Sequence, residues 1–224
     1  MNDPTPSSAP ALTTAEAPAS SGFSFAAIRE KFAYQPVLLG SIALVASLSL
    51  AVAASATHAP IAAAEARDLQ DSLSQVLPAG YAQNNLLQDT VELERNGVPV
   101  KLYLARQDGK VAAAIFQTAE RGYSGEISVL MAVDLAGQVL GVRVLKHTET
   151  PGLGDKIEAA KSDWVESFKG HSFGNPPEAQ WAVKKDGGIF DQFAGATITP
   201  RAVVKAVKGG MTFFLDHRDE LAKR

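Results

Sequence analysis

Between Val37 and Thr57 the chain reads VLLGSIALVASLSLAVAASAT, without a single charged side chain. At a rise of about 1.5 Å per residue, a helix of that length crosses a hydrocarbon core roughly 30 Å thick. Two readings compete. A secretory signal has a shorter apolar core, about 7–15 residues, set at the extreme N-terminus, and ASATHA resembles a small-residue cleavage site. The length and late start of this run favour a retained anchor. Arg29 and Lys31 precede it, and the first charges after it are Glu65 and Arg67. The positive-inside rule then predicts a cytoplasmic N-terminus and an exported remainder. The expected division is 1–35 as tail and juxtamembrane segment, 36–57 as transmembrane helix in the lipid bilayer, and 58–224 as an extracytoplasmic domain. Residues 1–27 are rich in Ala, Pro, Ser and Thr with no apolar period, the composition of a disordered segment.

Beyond Pro60 the pattern is that of one α+β domain on a largely antiparallel sheet. Leu69, Leu73 and Val76 recur at helical spacing before Pro78–Gly80, predicting an amphipathic helix after the anchor. VELERNGVPVKLYLA sets Asn96-Gly97 between alternating apolar runs, a hairpin signal. KVAAAIFQTA, GEISVLMAVD and QVLGVRVLK read as three further strands, the last two joined around Ala136-Gly137. Ile157, Ala160, Trp164 and Phe168 predict a helix capped by Asp155. QWAVKK suggests one more strand, and a final helix begins near Pro200.

Composition narrows the chemistry. The chain has no cysteine, which removes disulfides, thiolate nucleophiles and cysteine-ligated iron–sulfur clusters. Its four histidines are scattered; His147 near Glu149 fits a hydrogen-bonded loop histidine better than a metal ligand. A net charge of −3 gives no support for a nucleic-acid partner. Redox chemistry in such a chain needs a borrowed organic cofactor.

Two glycine-bearing stretches carry the functional signal. ETPGLGDKIE, from Glu149 to Glu158, lacks the third glycine of a dinucleotide fingerprint, Ile157 standing in its place. It reads as a turn, with Pro151 fixing φ and the glycines permitting positive φ. Thr150, Pro151, Gly152, Leu153 and Gly154 also make a rigid loop with little side chain, open to close approach by a flat ring or a phosphate. In DQFAGATITPRAVVKAV, Thr199 reads as the N-cap and Pro200 as the first helical residue. Gly195, Ala196 and Thr197 are left over, just upstream of a helix start that favours an anion. Arg201 in the first turn suits a nearby phosphate. The residues alone suggest a phosphate held beside a threonine hydroxyl.

GATIT preceded by Asp191, with HTETPGLGDKIE and GYSGEISVLMAVD, resembles the G subunit of the Rnf (Rsx) electron-transport complex. It is similar, more distantly, to the C subunit of the sodium-translocating NADH:quinone reductase. The likeness runs from about Pro36 to the C-terminus. It implies an FMN-binding domain in which a separate flavin transferase esterifies the phosphate of FMN onto Thr197, with Asp191 in the transferase's recognition pattern. Ala194 stands where the family pattern has Ser or Thr, and Gln192 where a small residue is common; the acceptor hydroxyl is in place. The implied isoalloxazine lies against Thr150–Gly154, with Phe190 or Phe193 as its aromatic neighbour. The implied function is electron relay among the other subunits of an inner-membrane complex that couples electron transfer to ion transport, with the domain periplasmic. The competing readings are the C subunit of the sodium pump and a membrane-anchored scaffold without covalent flavin.

Overall fold

The structure is a computed structural model that describes residues 34–224; the segment 1–27 and the Arg29–Lys31 pair lie outside the described residues. The chain divides into two compact units between Ala59 and Pro60. Helix α1, Tyr34–Gln75, carries the uncharged run. It is long and apolar enough to cross a membrane. Within the first unit, Val37, Leu39, Leu44 and Leu50 are all exposed. The hydroxyls of Ser41, Ser49, Ser55 and Thr57 donate back to carbonyls one turn earlier at 2.8–2.9 Å. Such bonding satisfies these four hydroxyls without water.

The second unit is built on a five-stranded antiparallel meander in the order β1-β2-β3-β4-β5. Its strands are β1 Thr90–Arg95, β2 Val98–Gln107, β3 Lys110–Arg121, β4 Glu126–Asp134 and β5 Val139–Lys146. Asn96 and Gly97, at φ 53° and 78°, form the first turn. Asp108 and Gly109, at 49° and 77°, form the second. These are the left-handed pairs that a two-residue hairpin needs.

Alternation along the strands sorts side chains onto two faces. Leu102, Leu104, Phe116, Val129 and Met131 meet Val203, Val207, Met211 and Phe214 of α2, Ile198–Leu221. Ala105, Ala113, Ile115, Leu130 and Ala132 form a second core with Leu73, Val76 and Leu86. The sheet is therefore buried on both sides, each large apolar side chain contributing about 1.5–3 kcal/mol. Helix α2 sits close to the sheet because Gly210 has no side chain. A Cβ there would fall 2.4 Å from Met131 Sδ and 2.7 Å from Thr118 Cγ2.

Three local expectations are corrected. The stretch from Ile157 to Phe168 is two 3₁₀ turns, Asp155–Ile157 and Asp163–Phe168, not an α-helix. The reason is Ser162, whose hydroxyl accepts from Trp164 N and donates to Lys156 O. That alternative competes with helical bonding. Asp155 is the first residue of its turn and Gly154 holds the cap position. QWAVKK forms no named strand; Val183 and Phe190 make one isolated parallel bridge beside a 3₁₀ turn. Finally, α2 begins at Ile198 with Thr197 in the N-cap position. Thr199 thus lies inside the first turn and is not the cap.

Candidate functional site

Three segments that are distant in sequence converge on a pocket of about 530 Å³. One wall is Tyr123, from the β3–β4 loop; the second is Glu149, Thr150, Leu153 and Gly154, beyond β5; the third is Gly195 to Thr199, entering α2. The volume lies in the range of small-molecule sites, roughly 300–1,000 Å³.

The second wall is a tight turn. The carbonyl of Thr150 accepts from Leu153 N at 3.2 Å and Gly154 N at 3.0 Å. Pro151 and Gly152 occupy its tip, and Gly152 has φ +78° with open space around it. They stand exposed and do not line the pocket, so the turn reading holds for these two. Gly154 differs: its φ is −87°, and an added Cβ would fall 2.9 Å from both Glu149 Cβ and Thr199 Oγ1. Here the missing side chain lets Glu149 and Thr199 pack close against the backbone.

The third wall mirrors the second. Ala196 N donates to Phe193 O at 3.2 Å, and Gly195 takes φ +81°. A Cβ at Gly195 would sit 3.5 Å from Leu153 Cδ2, so the two glycine loops meet edge to edge. Thr197 follows, half-buried, and its hydroxyl makes no capping bond. That hydroxyl is left for other chemistry. The opening N–H groups of a helix lack internal partners, and here they sit at the pocket with Ile198 and Thr199. Such a terminus favours an anion.

Glu149 closes the floor and was missed by sequence reasoning. Only 5% exposed, it receives the Thr199 hydroxyl on one oxygen and Ser124 N at 2.9 Å on the other. Tyr123 was missed too, though an aromatic between turn residues in GYSGE could have flagged it. It is 70% exposed at the mouth, near the exposed Leu153 and Ile198. Phe190 and Phe193, the expected aromatic neighbours, are instead buried; Phe190 stacks on Phe168 at 4.4 Å and Phe193 meets Trp164 edge-on.

Two charged residues singled out in the sequence do not line the pocket. Asp191 is exposed, pairs with Lys184 at 2.5 Å and does not line the pocket. Arg201 is held bidentately by Asp186 at 2.6 and 2.7 Å, which occupies the guanidinium meant for a phosphate. That pairing holds Asp186 below the usual carboxylate range. Beneath the Thr150–Gly154 turn, the Gly152 amide and then Lys161 hold Asp155 below its ordinary value. Lys161 and then His147 do the same for Glu158. His147 pairs with Glu158 at 2.9 Å and accepts the Glu149 N–H on Nδ1 at 3.2 Å, the role of a bonded loop histidine.

Comparison with known proteins converges on the same stretch. Residues 122–212, which include every pocket-lining residue, match the family described as the FMN-binding domain. Over 186 residues the chain is 52% identical to the G subunit of the ion-translocating oxidoreductase complex of Cereibacter sphaeroides, covering 83% of this chain and 85% of that one. It is 46% identical over 202 residues to the corresponding G subunit of Pseudomonas aeruginosa, covering 88% and 94%. Among solved structures, Shewanella oneidensis NqrC is similar with a TM-score of 0.47 at 21% identity, covering 65% of this chain and 74% of that one.

Proposed function

We propose, from the premise that this chain belongs to the family of G subunits of ion-translocating oxidoreductase complexes, that it is the flavin-carrying electron relay of such a complex. Its FMN is joined to Thr197 by a phosphoester that a separate flavin transferase makes. The observation that carries the reading is the meeting of Thr197 with the Thr150–Gly154 turn in one pocket. The residues fit the group. Thr197 offers a hydroxyl not used for capping, and the first turn of α2 offers N–H groups and dipole to the remaining phosphate charge. Gly195, whose added Cβ would meet Leu153 Cδ2 at 3.5 Å, leaves the third wall without a side chain. Tyr123, Leu153 and Ile198 present exposed apolar surface for a flat ring.

FMN, once bound, supplies the storage of electrons. The chain's own work is positional. Thr197 fixes where the phosphate is tethered, Gly195 keeps its wall low enough for close approach, and Gly154 lets Glu149 and Thr199 pack beneath the turn. Leu153 and Tyr123 bound the mouth, where a partner subunit reaches the cofactor. Pro151 and Gly152 hold the turn, and Asp191, exposed outside the pocket, exchanges its surface pair with Lys184 for the transferase.

The same reading assigns the regions. Residues 1–35 are the cytoplasmic tail and juxtamembrane segment, 36–57 cross the inner membrane once, and 58–224 form the periplasmic flavin domain. Supporting this are the exposed apolar surface of α1 and the basic Arg29 and Lys31 ahead of it.

The test is in-gel flavin fluorescence after denaturation, with intact mass, on protein made with and without the transferase. Thr197→Ala should lose the fluorescent band while staying folded, and Thr199→Ala should keep it. A band that survives Thr197→Ala and vanishes with Thr199→Ala moves the tether by two residues. Loss in neither refutes attachment at this site.

A further inference from the structure

Glu149 has no task in flavin attachment, yet the pocket is built around it. Its carboxylate is buried at the floor, and among the described residues it forms no ion pair. Glu158, nearby in sequence, takes Lys161 and His147 instead. What Glu149 has are two donors from two different segments. Ser124 N–H, from the β3–β4 loop, reaches Oε1 at 2.9 Å; the Thr199 hydroxyl, from the first turn of α2, reaches Oε2. Both contacts suit an acceptor-only carboxylate. Two glycines make room for it. A Cβ at Gly122 would fall 2.6 Å from Oε1, and one at Gly154 2.9 Å from the Glu149 Cβ. A group held by two donors and cleared by two glycines cannot swing out to water.

We infer that Glu149 sets the redox potential of the flavin held in this pocket, its fixed negative charge disfavouring the arrival of electrons. The inference rests on the flavin reading of the site. A charge in a half-enclosed pocket acts several times more strongly than the same charge in water. It differs from a mobile surface acid because its two bonds fix its distance from the ligand. The start of α2 partly compensates it, since a helix N-terminus stabilises an anion. That same terminus serves the tethered phosphate, so two negative groups share it. A bound flavin that gains electrons gains negative charge or must take up protons, and a nearby carboxylate makes the first of these harder. Glu149 is thereby a positioning residue with an electrostatic consequence, and no bond to it forms or breaks.

The experiment is a spectroelectrochemical titration of the full-length, flavin-loaded protein in detergent, with attachment checked by mass. Glu149→Gln preserves size, can accept from Ser124 N–H and can donate to Thr199. The flavin should remain attached and its midpoint potential should shift upward. Glu149→Asp keeps the charge but withdraws it by one methylene, and should shift the potential the same way by less. Should Glu149→Gln fail to accumulate, Glu149→Asp decides alone, an unmoved potential overturning the inference. Equal shifts in the two variants overturn it as well, because packing and not charge would then be responsible. Melting of protein made without the transferase gives a readout independent of flavin: Glu149→Gln should remain folded with a lowered Tm, its two bonds to a charged acceptor having become neutral ones. A wild-type chain that carries no flavin overturns the flavin reading itself and this inference with it. Wild-type flavin with an unmoved potential in Glu149→Gln overturns this inference only.

Discussion

Gly154→Ala adds one methyl group at the point where the two glycine loops and α2 meet. The backbone there is already right-handed, at φ −87° and ψ −20°, so alanine needs no new conformation. The cost is steric. The new Cβ would lie 2.9 Å from Glu149 Cβ, 2.9 Å from Thr199 Oγ1 and 3.2 Å from Glu149 Oε2. Neither neighbour can retreat, since Glu149 is 5% exposed and Thr199 only 1%. Overpacking of this kind costs about 1–3 kcal/mol, and the reduced freedom of the unfolded chain offsets about 0.4–1 kcal/mol of it. If the Thr199–Glu149 bond parts to make room, about 1.5–3 kcal/mol is added. A net loss of about 2 kcal/mol corresponds to a fall of roughly 4–8 °C in Tm for a domain of this size. Gly152→Ala is the control. It meets nothing within 4 Å but keeps φ +78°, so it bears a left-handed strain of about 1–2 kcal/mol less the same entropic offset. Circular dichroism melts of the full chain in detergent, with in-gel fluorescence alongside, should rank Gly154→Ala below Gly152→Ala in stability and in flavin yield. In a Thr199→Ala background, where one clashing atom is gone, the Gly154→Ala penalty should shrink. Strict additivity of the pair, or equal effects of the two glycine substitutions, would refute the close approach.

Other perturbations test other parts. Thr199→Ala should destabilise by about 1.5–3 kcal/mol, the worth of a hydrogen bond to a charged group, measured by chemical denaturation with the fluorescent band retained; a loss near zero contradicts the buried bond to Glu149. Gly210→Ala should cost about 1–3 kcal/mol by pushing α2 off Met131 and Thr118, and an unchanged melt would show that the interface yields freely. An alkaline phosphatase fused after Lys223 should be active and one fused after Ala27 inactive, and the reverse pattern overturns the periplasmic assignment. Asp155 and Glu158 are held below their ordinary values of 3.8 and 4.5, chiefly by the Gly152 amide and by Lys161 respectively. Their contribution is whole above those values and is lost as pH falls through the lowered ones. Lys161 is raised above 10.5, so its contribution is whole below that and lost as pH rises through the raised value. Lys161→Met should therefore lower Tm at neutral pH and flatten the fall in stability between about pH 5 and 2; an unaltered acid limb counts against the cluster.

Much of the fold was legible because its determinants are local. The uncharged run from Val37 to Thr57 is its own signal, and it lies in one helix. Asn96-Gly97 fixes a hairpin by backbone chirality alone, so the pairing of β1 with β2 follows from two residues and an alternation. Short hairpin links then make each strand pair with the next, which is why a largely antiparallel sheet could be anticipated. The two glycine motifs were visible for the same reason: loops that need positive φ or close approach must spell it in sequence.

Tertiary structure decided what each residue at the pocket touches. Thr199 has the residue type of an N-cap and directly precedes Pro200, but it lies inside the first turn and its partner Glu149 is 50 residues away; no local pattern encodes a bond of that span. Arg201 looked free for a phosphate until the fold brought Asp186 against it. Ile157 and Phe168 are spaced as on a helix, yet Ser162 drew the backbone into two 3₁₀ turns while the core still buried both side chains. Gly152 and Gly154 are alike in sequence, and only the packing of Glu149 and Thr199 against the second makes it a point of close approach, while the first is the open tip of a turn. Local backbone preference acts over a few residues, whereas the pocket depends on which distant side chains the sheet and α2 bring within hydrogen-bonding reach.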